Sequence, residues 1–358
     1  MHFGDRAQAV VQYGPIRRIF GQRASRELFR LLQERPQNFR RRLVRILAGQ
    51  LLSGGDQGRG RPYFNIGHTG LDEQMMRHWL QTADVRPIYL VHDLIPLRHP
   101  EYCRPGELGR HERRMRTVLE TGTGVIGNSQ ATLDALAEFG LVERLPRPPH
   151  LAAWLGTTPL DKPWRPSPTE RPTFVILGTI EARKNHQLLL NIWSRLITRF
   201  GASAPRLLVI GQRGWEAEEV NNKLDRDETL RGYVVKISGC SDSELAKHLS
   251  TARALLFPSF AEGFGLPLIE ALSLGVPVIA SDLPVLHEIG QEIPMYLSPV
   301  DELGWEAAIL DFAGASSPAR AVQLDRVSTF RPPTWADHFA AVERWLPTLG
   351  LDRKPLED

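Results

Sequence analysis

Two glutamates frame a glycine-rich segment in the second half of this sequence. The segment runs from Glu262 to Glu270 as Glu-Gly-Phe-Gly-Leu-Pro-Leu-Ile-Glu. Gly263 and Gly265 allow the backbone to approach a ligand and to adopt positive φ, and Pro267 suits the first turn of a helix. Free N–H groups and the positive end of the helix dipole would then form an anion site. The pattern predicts a cleft in which one carboxylate accepts hydrogen bonds from a sugar and the other from a ribose, with phosphates held between them.

A plain structural interpretation of this segment is also open. Gly-Phe-Gly-Leu-Pro could form a tight turn, with Glu262 as a solvated loop acid. Two other segments place polar residues after apolar runs in the same way. The loop GTIEARKN, residues 178–185, follows PTFVIL, and His92-Asp93 ends the run RPIYLVHD. Each is ambiguous alone, because Arg-Lys-Asn also suits a helix start and a histidine at a strand end is more often structural.

Taken together, these motifs resemble the retaining family-4 glycosyltransferases of the GT-B fold. Carboxylates in E-x7-E spacing around GFGLP are typical of that family, and GTIEARKN resembles its G-x-x-x-x-[RK]-K-N loop. The resemblance implies that Glu262 contacts hydroxyls of the transferred sugar and that Glu270 binds the ribose. It also implies that Lys184, with Arg183, neutralises the pyrophosphate, whose growing charge preorganised cations stabilise. The chain departs from the family at Thr179, where many members carry arginine.

The resemblance implies roles for further residues around the same cleft. His92 would either hydrogen-bond the C6 hydroxyl of the sugar or carry a backbone carbonyl that faces the reacting carbon. The predicted catalytic residues are His92, Arg183, Lys184 and Glu262. The predicted donor-binding residues are Gly178, Ser238, Gly239, Cys240, Gly263, Phe264, Gly265, Leu266 and Glu270. The predicted acceptor-side residues are Asp93, Asn128 and Ser129.

Two histidine-bearing segments keep more than one interpretation. His287-Glu288 is similar to the family's segment near the base or the donor edge, and it could equally cap a loop. His111-Glu-Arg-Arg-Met is one histidine short of a zincin motif, and its charged surroundings favour a solvated helix face. Because no Cys/His cluster has metal-ligand spacing, we expect no metal and no cofactor, and we expect Cys240 to pack rather than react.

Short apolar runs must place these residues at strand ends. The runs are AQAVVQY, RPIYLVHD and GTGVIGNS in the first half, then PTFVILG, PRLLVIG, YVVKISG, ARALLFPS and VPVIASD. They are continuous rather than alternating, as expected for parallel strands buried on both faces. The alternation with helical stretches predicts an α/β protein with two doubly wound, Rossmann-like domains facing across a cleft, and the resemblance implies that this is the GT-B fold. The chain begins at what resembles the approach to a second strand, so the first strand of the N-terminal domain is expected to be missing.

A proline-rich stretch over residues 144–174 marks a connector between the two series of strands. HLAAWLG within it could be the last strand of the first domain, and the boundary is expected near Asp161–Arg171. The predicted acceptor-side domain covers residues 1–165, and the predicted nucleotide-sugar-binding domain covers 166–335. The C-terminal helix, 336–358, is expected to return to the N-terminal domain.

Composition is that of an ordinary globular protein, with 42% hydrophobic and 24% charged residues. No apolar run reaches the ~18–20 residues of a membrane span, and two cysteines give no disulfide framework, so a cytoplasmic location is expected. Residues 1–60 hold twelve arginines against four acids, and Pro36 divides them into two short helices. These helices could lie on anionic lipid at the inner membrane face or could simply have a solvated arginine face. Nucleic acid is not expected, because the basic block has few aromatics and no recognition motif.

These observations predict a retaining, metal-independent glycosyltransferase that moves a hexose from a nucleoside-diphosphate sugar to a lipid-linked or growing polysaccharide. Mannose, and GDP-mannose as donor, are favoured because HDLIP followed by HPEYCRP resembles bacterial polysaccharide mannosyltransferases. Two alternatives stay open. One is a catalytically silent nucleotide-binding or assembly protein of the same fold, suggested by the missing first strand. The other is a GT-B sugar-nucleotide epimerase, against which E-x7-E with Arg-Lys-Asn argues.

Overall fold

The computed structural model describes residues 7–13, 16–34, 36–52, 58–158, 160, 171–215 and 217–351. The strands are β1 Val10–Tyr13, β2 Ile16–Ile19, β3 Arg61–Asn65, β4 Val85–Val91, β5 Gly124–Gly127, β6 His150–Ala152, β7 Thr173–Leu177, β8 Arg206–Ile210, β9 Val234–Ile237, β10 Ala254–Phe257, β11 Val278–Ser281 and β12 Met295–Leu297. The helices are α1 Gln22–Glu34, α2 Phe39–Leu52, α3 Gln74–Thr82, α4 Ile95–Arg98, α5 Glu107–Thr121, α6 Gln130–Val142, α7 His186–Phe200, α8 Glu218–Arg226, α9 Asp242–Ser250, α10 Leu266–Ser273, α11 Pro284–Gly290, α12 Glu302–Ala313, α13 Pro318–Val327 and α14 Trp335–Trp345.

The first parallel sheet has the strand order β3-β4-β5-β6. Residues that alternate along β4 face opposite sides of this sheet, as a strand requires. Tyr89 packs among α3, α5 and α6 on one face. Ile88 packs on the other face against Val342 of α14. The C-terminal helix therefore covers one face of the first sheet.

The second parallel sheet has the order β12-β11-β10-β7-β8-β9. Its four inner strands are apolar and largely buried, with Trp193 and Trp305 packed on one side of the sheet and Leu268 and Leu272 on the other. The strand order reverses beside β7, whose neighbours are β8 and β10. In open α/β sheets the crevice at such a switch point binds ligands. The loops after β7 and β10 meet at this crevice.

The two sheets are joined by two crossings of the chain, and these crossings touch. The amide N–H and the hydroxyl of Thr157, which follows β6, donate to the carbonyl oxygen of Pro333, just before α14, over 3.1 and 3.3 Å. His338 of α14 also donates from Nδ1 to the carbonyl oxygen of Trp154 over 3.0 Å. The boundary predicted near residues 161–171 lies outside the described residues except at its last residue, Arg171.

A small separate module precedes the first sheet. Strands β1 and β2 form an antiparallel pair, and α1 and α2 pack on it around Phe20, Leu28 and Leu31. Arg17 of β2 joins the module to the loop before α3 by a 2.7 Å ion pair with Glu73. The two helices fall on either side of Pro36, as predicted.

For one predicted strand, the expected sheet is wrong. Three other strands of the structure were not predicted. AQAVVQY was expected in the first parallel sheet, but β1 pairs with β2, which begins only three residues after β1 ends. Such a short connection suits a hairpin and cannot make a parallel crossover. The unpredicted strands are β2, β3 and β12; β3 lies at the edge of its sheet and includes Pro62, which hides a strand pattern. The other seven predicted runs, and HLAAWLG as a strand of the first sheet, are confirmed.

Candidate active site

Three charged side chains from the loops after β7 and β10 meet at the carboxyl end of the second sheet. The Nζ of Lys184 lies 2.6 Å from Oε1 of Glu262, and a terminal nitrogen of Arg183 lies 3.3 Å from Oε2 of the same carboxylate. Arg183 also pairs with Glu181 over 2.7 Å and donates to the carbonyl oxygen of Ala261 over 3.1 Å. The two loops lie side by side because β7 and β10 are adjacent parallel strands.

This cluster is buried as well as charged. The side chains of Lys184 and Glu262 expose 9% and 6% of their area. Burial lowers the pKa of the Lys184 ammonium, and the Glu262 carboxylate opposes that shift. Charges this buried require close partners. An anion that entered the crevice would therefore compete with Glu262 for the lysine and the arginine.

The glycine-rich segment forms the helix start that its sequence predicts. Gly265 precedes α10 with φ of +105°, a conformation that favours glycine, and no side chain caps the helix. Pro267 lies in the first turn. Phe264 is buried in the core below, whereas Leu266 is 41% exposed. The first N–H groups of α10 thus have no side-chain acceptor, and the loop beside them carries Glu262.

Glu270 lies one turn further along α10 and is half-buried, and its carboxylate has no hydrogen-bond or ion-pair partner among the described residues. Burial, with a smaller contribution from Asp242, raises the pKa of its carboxyl to about 7. Asp242 begins α9, so Glu270 lies near the loop that joins β9 to α9. Carboxylates without partners in a cleft are candidates for ligand contacts.

The other predicted donor-binding residues lie in the loops beside these groups. Gly178 has φ of +139°, and a side chain at that position would meet the Lys184 side chain at 3.5 Å. Ser238 and Gly239 are exposed between β9 and α9. Cys240 packs against the apolar core of the second domain, as predicted, and burial raises the pKa of its thiol.

The first domain contacts this site through the backbone of His92. A side chain on Gly263 would place its Cβ 2.7 Å from the His92 carbonyl oxygen and 2.9 Å from Cβ of Asp93. The loop after β4 and the glycine-rich segment thus approach each other at a position that only glycine fits. The His92 imidazole is turned aside, and its Nε2 donates to the carbonyl oxygen of Ile66 over 2.7 Å. Of the two roles predicted for His92, the geometry favours the one of the carbonyl.

Two of the predicted acceptor-side residues lie between the His92 loop and the glycine-rich segment, where they contribute almost no cleft surface. Asn128 and Ser129 are 2% and 0% exposed. Asn128 donates from Nδ2 to the His92 carbonyl oxygen over 2.8 Å. Ser129 caps α6 at the Thr132 amide over 3.0 Å, and its hydroxyl lies 3.5 Å from the Gly263 carbonyl oxygen. These contacts place both side chains in the junction of the two domains.

The third predicted acceptor-side residue, Asp93, is partly exposed beside His92. Its Oδ1 accepts a hydrogen bond from the amide of Ile95 over 3.0 Å, which turns the chain into α4.

Two buried histidines support this backbone and were not predicted to be part of the site. His111 donates from Nε2 to the Asp93 carbonyl oxygen over 3.2 Å, and His68 donates to that of Leu90 over 3.0 Å. Burial lowers the pKa of His68 to about 4, so it is neutral at pH 7. The interpretation of His111 as part of a solvated face is wrong, since it is 5% exposed. Its spacing to buried Met115, one helical turn away, was the available signal.

Residues 171–313 match the family model described as "Glycosyl transferases group 1". The chain therefore contains a glycosyl transferase group 1 domain, and the matched segment holds every predicted donor-binding residue.

Among known proteins, the chain is 30% identical over 236 residues to the serotype-specific mannosyltransferase WbdA of Escherichia coli, over 61% of this chain and 29% of WbdA. It is 43% identical over 139 residues to the O-antigen chain mannosyltransferase RfbU of Salmonella typhimurium, over 38% of this chain and 37% of RfbU. The chain thus spans less than a third of the length of WbdA. The structure superposes on sucrose-phosphate synthase from Thermosynechococcus elongatus with a TM-score of 0.63 at 19% identity, over 96% of this chain and 86% of that one. This likeness shows the GT-B fold.

Two further properties concern the described residues as a set. No three His, Cys, Asp or Glu side chains in them are grouped to hold a metal ion. None of their helices combines the length and the apolar character that crossing a bilayer requires.

Proposed function

We propose that this protein transfers a hexosyl group from a nucleoside-diphosphate sugar to a saccharide acceptor in the cleft between the two sheets. One observation carries the proposal. Lys184 and Arg183 converge on Glu262 beside the uncapped start of α10, so cations and free N–H groups surround one point. This arrangement suits a diphosphate, while the Glu262 carboxylate offers acceptors for sugar hydroxyls.

The proposed reaction uses these positions. The bond between the anomeric carbon and the diphosphate oxygen breaks, and its electron pair remains on the diphosphate. Lys184, Arg183 and the first N–H groups of α10 stabilise the charge that develops there. An acceptor hydroxyl attacks the anomeric carbon from the face that the diphosphate leaves, and its proton passes to the diphosphate oxygen. The configuration is retained, and neither a protein nucleophile nor a metal takes part.

The donor favoured by this proposal is GDP-mannose. WbdA and RfbU are both named mannosyltransferases, and Glu270 lies near the exposed β9–α9 loop, where a ribose and a base would extend from the phosphates. A half-buried carboxylate without a partner suits the two hydroxyls of a ribose. We further propose that the acceptor is a lipid-linked or growing polysaccharide and that the protein works in the cytoplasm at the inner membrane face.

The test begins with binding and ends with turnover. Thermal unfolding is measured with GDP, UDP, ADP and their sugar conjugates. A nucleotide at one hundred times its Kd raises the unfolding free energy by about 2.7 kcal/mol. Donor turnover is then measured with the best ligand and a lipid extract as acceptor. The proposal expects binding and turnover; binding without turnover would support the silent nucleotide-binding protein, and no binding by any nucleotide would overturn both.

Lys184→Ala connects the chemistry to the site. Loss of one such donor lowers kcat by roughly 100- to 1000-fold, while circular dichroism and the melting profile stay those of a folded protein. Lys223→Ala is the matched control, because this lysine lies on α8, where its Nζ donates to Oδ1 of Asn191 over 2.9 Å. Full activity of Lys184→Ala would refute the role given to that lysine.

A further inference from the structure

One carboxylate of the second domain accepts three hydrogen bonds from the first. Glu288 of α11 accepts from the backbone amides of Gln130 over 2.8 Å and of Ala131 over 3.0 Å. It also accepts from Nε1 of Trp154 over 2.7 Å. All three partners are donors, and an ionised carboxylate offers only acceptors. The two amides begin α6, where the helix dipole favours a negative charge.

The position of this contact relates it to the site. Helix α6 begins directly after Asn128 and Ser129, whose side chains bond the His92 carbonyl and approach that of Gly263. On the other side, α11 packs against the start of α10, where a side chain at Gly265 would come within 2.9 Å of Leu286. Glu288 therefore joins α6, on the acceptor side of the cleft, to α11, which packs against the start of α10 on the donor side.

We propose that Glu288 is a positioning residue for glycosyl transfer. It holds α6 against α11 and so sets the distance between the His92 carbonyl and the glycine-rich start of α10. It touches neither donor nor acceptor. The inference rests on the proposed function for its kinetic part, whereas its structural part concerns only the separation of the two domains.

Glu288→Gln tests this with minimal change of shape. The amide keeps one acceptor oxygen but turns an NH₂ group toward at least one of three donors, so it cannot satisfy all of them. Hydrogen bonds to charged groups contribute more stabilising free energy than neutral ones. Because Glu288→Gln weakens the contact that positions α6, we expect kcat to fall about 10- to 100-fold. The nucleotide Kd should stay within about twofold, since every residue proposed to bind the nucleotide lies in the second domain, whereas Glu288 bonds Gln130, Ala131 and Trp154.

A second measurement reports the domain separation without turnover. Small-angle scattering of Glu288→Gln should give a larger radius of gyration than that of the unaltered protein. Glu292→Gln, an exposed acid four residues further along, is the matched control and should change neither quantity. Trp154→Phe removes one of the three bonds and should lower kcat less than Glu288→Gln does. The double variant should be no worse than Glu288→Gln alone, because both changes break one contact.

The outcomes separate the two proposals. If Glu288→Gln keeps both kcat and the radius of gyration, the positioning role is wrong. If kcat, nucleotide affinity and melting temperature fall together, Glu288 only stabilises the fold and the positioning role is equally wrong. If the unaltered protein neither binds nor turns over any donor, the proposed function fails, and the scattering comparison then decides alone whether Glu288 sets the domain separation.

Discussion

At the scale of single residues, the pair of Lys184 and Glu262 has two functions that oppose each other. In the protein alone, the pair opposes the fall in the Lys184 pKa that burial causes. In the proposed reaction it must loosen, because the lysine then contacts the diphosphate and the carboxylate contacts the sugar. Arg183 reduces this conflict, since it holds Glu262 from the other oxygen and is itself held by the Ala261 carbonyl.

Glu262→Gln should cost more stability than an ordinary loss of an ion pair. The change leaves the Lys184 ammonium buried without its counter-charge, which costs about 3 kcal/mol of the free energy of unfolding. Urea unfolding at pH 7 measures it. Glu302→Gln is the control, because Glu302 pairs with Arg195 over 2.6 Å at the surface and such pairs contribute under about 1 kcal/mol. Equal losses in the two variants would contradict the buried-pair argument.

Glu270 should make stability depend on pH between about 4.5 and 7. Its pKa in the folded protein, about 7, lies above the usual 4.5, so the folded state favours the protonated carboxyl. Below pH 4.5 the carboxyl is protonated in both the folded and the unfolded state, so the protein should be about as stable as Glu270→Gln. As the pH rises through 7, the protein loses stability relative to Glu270→Gln, whose amide does not ionise. At roughly 1.4 kcal/mol per pKa unit, the difference changes by about 3 kcal/mol. Unfolding of both proteins from pH 4 to 8 checks it, with exposed Glu219→Gln as a flat control.

The residues of the donor side could be predicted from sequence because their chemistry is local. Glu262 and Gly265 lie three residues apart, and Arg183 and Lys184 lie side by side in the loop after β7. The residues of the junction could not. Glu288 and Gln130 are far apart in sequence, and their contact depends on how two separately folded sheets dock.

At the scale of elements, apolar runs identified the buried parallel strands, since each is hydrophobic on both faces. The pattern fails where a strand is short, exposed or paired locally, as in β2, β3 and β12. The N-terminal module is the clearest case. Its hairpin and two helices form a small core of their own, and the outer side of its helices carries exposed apolar residues: Phe29 at 39%, Leu32 at 48% and Val44 at 63%.

This outer side of α1 and α2 supports the proposed contact with anionic lipid, because exposed arginines surround the apolar residues. The double variant Phe29→Ser with Val44→Ser should bind anionic vesicles about tenfold more weakly, given the transfer free energy of one or two apolar side chains. Co-sedimentation with phosphatidylglycerol vesicles measures it. Phe200→Ser, 37% exposed in the second domain, should bind unchanged. Equal binding of the unaltered protein to neutral and anionic vesicles would exclude the lipid contact.

At the scale of the whole molecule, the alternation of strands and helices predicts the two-sheet architecture. The contacts by which the two sheets dock could not be predicted from that pattern. Helix α14 shows the difference. The sequence predicts a helix that returns to the N-terminal domain, and the structure adds the contacts, in which Val342 packs on Ile88 and Ile126 of the first sheet. One face of the first sheet is thus covered by α14, which follows the second sheet in the chain.

Val342→Ala should lower the free energy of unfolding by about 2 kcal/mol, from the lost methyl groups and the space they leave. Val322→Ala is the control, because Val322 is 52% exposed on α13 and its truncation should cost under about 0.5 kcal/mol. Guanidinium unfolding followed by tryptophan fluorescence compares them. An unchanged Val342→Ala would mean that α14 contributes little to the stability of the first sheet.

The contact of Thr157 with Pro333 has a mechanical consequence. It fastens together two described segments that lead from one half of the molecule to the other, so we expect relative movement of the halves to be smallest there. We therefore expect the two halves to move relative to each other by rotation about this contact, which would act as a hinge. Substrates would then enter and products leave through an aperture that widens with distance from this pivot.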